Sequence, residues 1–150
     1  MNTGTWGKDP TEYLLDGMYK SVKMGSENIV SVLAKVQDRF MISELTANLE
    51  AYSGYAKNLE AMMHERGIEP EPPGFLSKIG ARAGMALNTV TDARPSRIAE
   101  IYMARTGNTV RRLEQMRDEV MGRCDAKVLS LCGEIIDKER LNSAKMEAFL

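Results

Sequence analysis

Apolar residues recur along this chain at steps of three, four and seven, the spacing that draws one stripe down an α-helix. Between Thr11 and Val36 the stripe runs Leu15, Met18, Val22, Ile29, Leu33 and Val36. Gly25 falls on the same line, where a missing side chain would let a neighbouring helix come close. A second stripe, Ile42, Leu45, Leu49, Tyr52, Ala56, Leu59 and Met63, predicts a helix from about Arg39 to Arg66, stopped by Gly67. Asp38 is a fair N-cap between the two. No Gly or Pro separates them, so one continuous helix from 11 to 66 is an open alternative.

The stretch Gly67-Ile68-Glu69-Pro70-Glu71-Pro72-Pro73-Gly74 then forbids helix. A shorter amphipathic helix is expected from about Phe75 to Thr91, with Phe75, Leu76, Ile79, Ala83, Ala86, Leu87 and Val90 on its apolar side. Arg94-Pro95-Ser96 breaks the chain again, and Pro95 suits the first turn of a new helix. That helix runs to about Val120 with Ile98, Tyr102, Thr109, Leu113, Met116 and Val120 inward, and Gly122 ends it. Asp125 can cap a last helix that reaches almost to Leu150, with Val128, Leu131, Cys132, Ile135, Met146 and Phe149 on its stripe.

No period-two alternation survives, so the expected fold is all-α: a four-helix bundle over residues 11–150, preceded by a polar lead-in at 1–10. Residues 67–95 would form a crossover as long as the bundle and carry the extra short helix. A crossover of that length makes the second and third long helices parallel, the topology of ferritin-like folds.

Composition changes this picture little. A chain of 150 residues fits one domain, and 43% hydrophobic with 27% charged residues argues against disorder. Acidic and basic residues nearly cancel, 21 against 20, so no net field favours nucleic acid or an anionic membrane. The arginines of the third helix, Arg97, Arg105, Arg111, Arg112 and Arg117, interleave with Glu100, Glu114 and Glu119, and no aromatic platform accompanies them. No apolar run approaches the roughly 20 residues of a membrane span, and Met1–Pro10 has no apolar signal core, so a cytoplasmic location is expected. Cys124 and Cys132 have neither redox-motif nor zinc spacing and are expected as reduced thiols. Eleven methionines against nine aromatics suit a core of packed helices.

In helix order, helix length and crossover, residues 11–150 resemble the ferritin-like superfamily, and within it small bacterial proteins of unknown function. Leu76-Ser77-Lys78-Ile79-Gly80, Arg97-Ile98-Ala99-Glu100 and Glu139-Arg140-Leu141-Asn142 look like that group. The resemblance implies a di-iron centre built from two Glu and two Glu-x-x-His motifs. This chain has one histidine, His64, four residues after Glu60, and Ala61 stands where the motif needs Glu. The usual centre is therefore absent or rebuilt, and Glu60 with His64 reads as a solvated pair near a helix end.

Extending the fourth stripe places Glu139 and Asn142 inward, so Glu-x-x-Asn occupies the place of the family's Glu-x-x-His. A buried carboxylate needs a partner or takes a proton. Two arrangements are open. Arg105 could pair with Glu139, with Asn142 completing a buried hydrogen-bond network. Alternatively Glu44, Glu100 and Glu139 would form an oxygen-rich site for a hard ion such as Mn or Mg, or for Fe. No cofactor is otherwise expected.

The function expected from these features is that of a non-enzymatic bundle acting through protein contacts, as a homo-oligomer such as a dimer. Met24, Met41, Met62 and Tyr55 are its candidate interface residues. The alternatives are a metal-binding or oxidoreductase-type protein with a rebuilt carboxylate site and, from the resemblance alone, a spore-coat or stress-associated structural protein.

Overall fold

A computed structural model of the chain describes residues 9–70 and 92–150. Four long helices account for most of them: α1 (Pro10–Leu33), α2 (Arg39–Glu65), α3 (Pro95–Val120) and α4 (Ala126–Met146), followed by a single 3-10 turn at Glu147–Phe149. No strand occurs among the described residues, and none of the described helices is long and apolar enough to cross a membrane. The expected helix at 75–91 and residues 1–8 of the expected 1–10 lead-in lie outside the described residues; Asp9 and Pro10, the end of that lead-in, instead cap and open α1.

Local chemistry accounts for most of the boundaries. Asp9 accepts from the Glu12 amide at 3.2 Å and Pro10 opens the first turn of α1. Asp38 accepts from the Met41 amide at 2.9 Å, and the chain turns between α1 and α2. One continuous helix from 11 to 66 is thereby ruled out: a single capping carboxylate breaks it without Gly or Pro. α2 ends in a Schellman motif. Ile68 N–H donates to the Met63 carbonyl at 2.8 Å and Gly67 N–H to that of His64 at 3.0 Å, while Gly67 adopts φ 71°. Pro95 opens α3, and Asp125 caps α4 by accepting from the Lys127 amide at 2.8 Å.

Contacts between helices set the topology. Tyr19 reaches Glu60 across the antiparallel α1–α2 hairpin, and Tyr13 at the start of α1 donates to Glu119 at the end of α3. Asn48 of α2 meets Tyr102 of α3, and Arg66 just beyond α2 bonds Asp125 just beyond α3. α2 and α3 therefore run parallel. The two ends joined by the 67–95 connection lie at opposite ends of the bundle, about 40 Å apart at roughly 1.5 Å per residue of helix.

The core has layers. Toward the Arg66–Asp125 end it is aliphatic: Leu14, Leu15, Met18, Leu59, Met63, Leu113 and Ile135 are essentially solvent-free. Toward the other end Ile29, Met41, Leu45, Ile98 and Met146 pack in the same way. Between these layers lies a third that is largely polar.

Candidate functional site

The middle layer is assembled from two positions on each of three helices. Asn48 and Tyr52 are one turn apart on α2, Tyr102 and Thr106 one turn apart on α3, and Glu139 and Asn142 three residues apart on α4. All six are buried, Glu139 with 4% of its surface exposed and Asn142 with none. α1 contributes a gap. A Cβ on Gly25 would stand 2.9 Å from the Tyr52 ring, so only glycine lets that ring lie against the α1 backbone. The close approach expected at Gly25 is thus made by a side chain of α2.

The hydroxyls form a chain with a definite direction. Tyr52 donates to Glu139 Oε1 at 2.5 Å. Its proton is then committed, so in the 3.3 Å contact between the two phenols Tyr102 is the donor. Asn48 Nδ2 in turn donates to the Tyr102 oxygen at 3.0 Å. Each link polarises the next toward the carboxylate. Asn142 lies beside the Tyr102 hydroxyl, close enough to influence it, yet neither of its amide atoms completes a hydrogen bond of full geometry within the protein.

Burial dominates the electrostatics. It raises the Glu139 carboxyl from an ordinary 4.5 to about 7, a rise that the Tyr52 hydrogen bond opposes without cancelling. At neutral pH a share of the Glu139 population thus keeps its proton. Burial and the neighbouring carboxylate hold the Tyr52 phenol well above its usual value, and burial does the same for Tyr102, so both hydroxyls keep their protons.

Above this layer a pocket of about 170 Å³ opens between α1 and α3. Glu139, Tyr52 and Tyr102 form its floor, and Ser21, Asn28, Thr106 and Thr109 stand on its walls. Arg105, half-buried, and Arg112, exposed, stand toward the mouth. Arg112 spans the gap between the helices, donating to Ser21 Oγ at 2.8 Å, while Ser21 donates to the Gly17 carbonyl at 2.9 Å. Partial burial lowers the Arg105 guanidinium from its usual value.

The structure sorts the expected site residues. Glu139 and Asn142 are inward, as their stripe positions require. The carboxylate is held by Tyr52, where Arg105 was expected; Arg105 lines the same pocket. Glu44, Glu100 and Glu139 are not brought together. Glu100 lies two residues before Tyr102, about 200° around α3, and pairs with Arg97 in solvent at 3.2 Å. Glu44 is one residue off the Leu45 stripe and lies 3.8 Å from Lys145. Among the described residues no group of three His, Cys, Asp or Glu could hold a metal. Glu60 accepts from Tyr19 at 2.9 Å rather than standing as a solvated partner of His64. Of the candidate interface residues, Met41 is fully buried, and Met24, Met62 and Tyr55 are half-buried.

Asn48, Thr106 and Ser21 were missed in the sequence. The available signal was the pair of tyrosines on inward stripe positions: a buried phenol needs a polar partner, so Tyr52 and Tyr102 already imply other polar groups in the core.

Cys132 is buried in the aliphatic layer, where burial pushes its thiol up to about 11, an inert state. No protein-family model, curated protein or solved structure matches the chain significantly.

Proposed function

We propose that this protein is a helical binding module that holds a small polar molecule in the pocket between α1 and α3, without a standard di-iron centre and without covalent chemistry. The observation that carries this is the Glu139 carboxyl at the pocket floor. It is buried and paired with Tyr52, and it faces a space in which hydroxyl, amide, phenol and guanidinium groups are set among apolar surface. Polar groups around a concave space are how proteins orient small ligands. The described lining offers a titratable carboxyl but neither histidine nor thiol, so it has hydrogen-bonding groups without an activated nucleophile beside its acid.

Thermal unfolding in the presence of a library of small polar metabolites tests this. A binder should raise Tm in a saturable way, since a ligand at about 100 times its Kd adds about 2.7 kcal/mol. Thr109→Trp, which fills the pocket from its wall, should abolish the rise while leaving the helical circular dichroism unchanged. A rise that persists undiminished in Thr109→Trp would place binding elsewhere.

Self-association through one end of the bundle is a second function with an observation in its favour. Val30, Phe40 and Leu150 are 59%, 69% and 64% exposed, and all lie at the end where α1 stops and α2 begins. Light scattering should then show a species larger than a monomer, reduced by Phe40→Glu. A monomer at millimolar concentration would remove this reading.

A further inference from the structure

The two ends of the pocket carry opposite chemistry. The floor accepts hydrogen bonds and attracts cations. Glu139 Oε1 already accepts from Tyr52, which leaves the lone pairs of Oε2, and the phenols of Tyr52 and Tyr102 line the floor beside it. The mouth does the reverse: Arg105 and Arg112 bring two guanidinium groups, whose planar forks match a carboxylate. Ser21, Asn28, Thr106 and Thr109 line the walls between, able to orient a ligand of either sign.

We infer that the ligand is a compact amphoteric molecule, an ammonium group and a carboxylate joined by a short carbon spacer. Its ammonium is set against Glu139 and the phenols, and its carboxylate against Arg105 and Arg112. This rests on the pocket being a binding site. The volume of about 170 Å³ limits the ligand to no more than about ten non-hydrogen atoms, since a cavity of about 150 Å³ holds benzene.

Simpler ions fit less well. An inorganic anion would satisfy the mouth but leave the floor carboxyl without a charged partner. A plain amine would satisfy the floor and bring no anionic group to the two guanidinium groups at the mouth. A divalent cation would find one carboxylate where such ions use several oxygen ligands, with two arginines nearby to repel it.

Binding also moves a proton. The titratable groups that act on Glu139 are Tyr52 and Tyr55 from α2 and Tyr102 from α3; Arg105 and Arg112 of α3 line the same pocket, and α1 brings Ser21, Met24, Gly25 and Asn28, none of which titrates. An arriving ammonium favours the ionised carboxylate, so the proton held on part of the Glu139 population passes to solvent.

Isothermal titration calorimetry of the full chain at pH 7 tests the assignment. The probes are glycine, β-alanine and 4-aminobutyrate, the carboxylic acids and amines of matching length, and inorganic phosphate. At least one amino acid should bind saturably at one site per chain, ten-fold or more tighter than its matched acid or amine. Its apparent heat should change with the ionisation enthalpy of the buffer, as proton release requires. Glu139→Gln, shown folded by circular dichroism, should weaken the amino acid at least ten-fold and abolish the buffer dependence. If an acid, an amine or phosphate binds as tightly as the amino acids, the amphoteric assignment fails and the pocket stands as a site for a single charge. If no probe binds the folded protein, the amphoteric assignment fails, while the binding reading is decided separately by the thermal shifts and their loss in Thr109→Trp.

Discussion

The aliphatic layer near the Arg66–Asp125 end and the polar middle layer occupy the same helices, yet they follow different rules. In the first, Leu14, Leu59, Leu113 and Val128 belong to one cluster of buried apolar side chains together with the thiol of Cys132, and their contribution scales with the surface they remove from water. In the second, Asn48, Tyr52, Tyr102 and Glu139 each depend on a particular partner at a particular angle, and one member, Asn142, completes no hydrogen bond of full geometry. A layer built for stability alone would resemble the first, since apolar residues of similar volume often outperform buried ionisable groups. The middle layer therefore gives up stability, and it does so directly beneath the pocket.

The comparison can be broken at several points. The largest effect is expected in the aliphatic layer: Leu113→Ala should cost about 2–5 kcal/mol in urea unfolding, by the same amount at pH 5 and pH 8.

Next comes the pH response of the polar layer. The folded Glu139 carboxyl titrates at about 7 against an ordinary 4.5, so between these values the native state holds a proton that the unfolded chain has released. This stabilising contribution is complete below pH 4.5, falls as pH rises and is lost above pH 7, by up to roughly 3 kcal/mol. Glu139→Gln should remove that slope and exceed the wild type in stability at pH 8. A wild-type-minus-variant difference that stays constant from pH 5 to 8 would show that the carboxyl is not held in its neutral form.

Gly25→Ala should cost about 1–3 kcal/mol, because its Cβ would meet the Tyr52 ring at 2.9 Å and push the ring from Glu139. The near-ultraviolet tyrosine signal should change with it. Smaller again is the N-cap, where Asp38→Ala should cost about 1 kcal/mol in thermal unfolding. The smallest effect is at the surface. The 2.8 Å pair of Arg140 and Glu114 is solvent-exposed, and Arg140→Ala should change stability by less than about 1 kcal/mol.

The same contrast decides what could be read in the sequence. Helix positions, the breaks at Pro95 and Gly122 and the parallel run of α2 and α3 all follow from stripe spacing and breaker residues, which are local. Glu139 and Asn142 were legible because their own stripe carries them inward. Their partners were not. Whether Glu139 meets Arg105 or Tyr52 depends on how far α2 and α3 rotate about their axes, and that depends on a missing Cβ at Gly25 in a third helix. The second stripe, read through Leu49, also concealed Asn48; the structure leaves Leu49 half-buried and turns Asn48 to the core. Three acidic residues at similar heights suggested a metal site, but height along a bundle does not fix phase around each helix, and Glu100 is on the outside.

The central claim is that a neutral-or-ionised carboxyl sits poised at the floor of a polar pocket. Carbon-13 NMR of glutamate side-chain carboxyls, with Glu139 identified by its loss in Glu139→Gln, measures this directly. A midpoint near 7 is expected for Glu139 in the free protein, moving down when an amino acid probe occupies the pocket. A midpoint near the ordinary 4.5, unmoved by any probe, would contradict it.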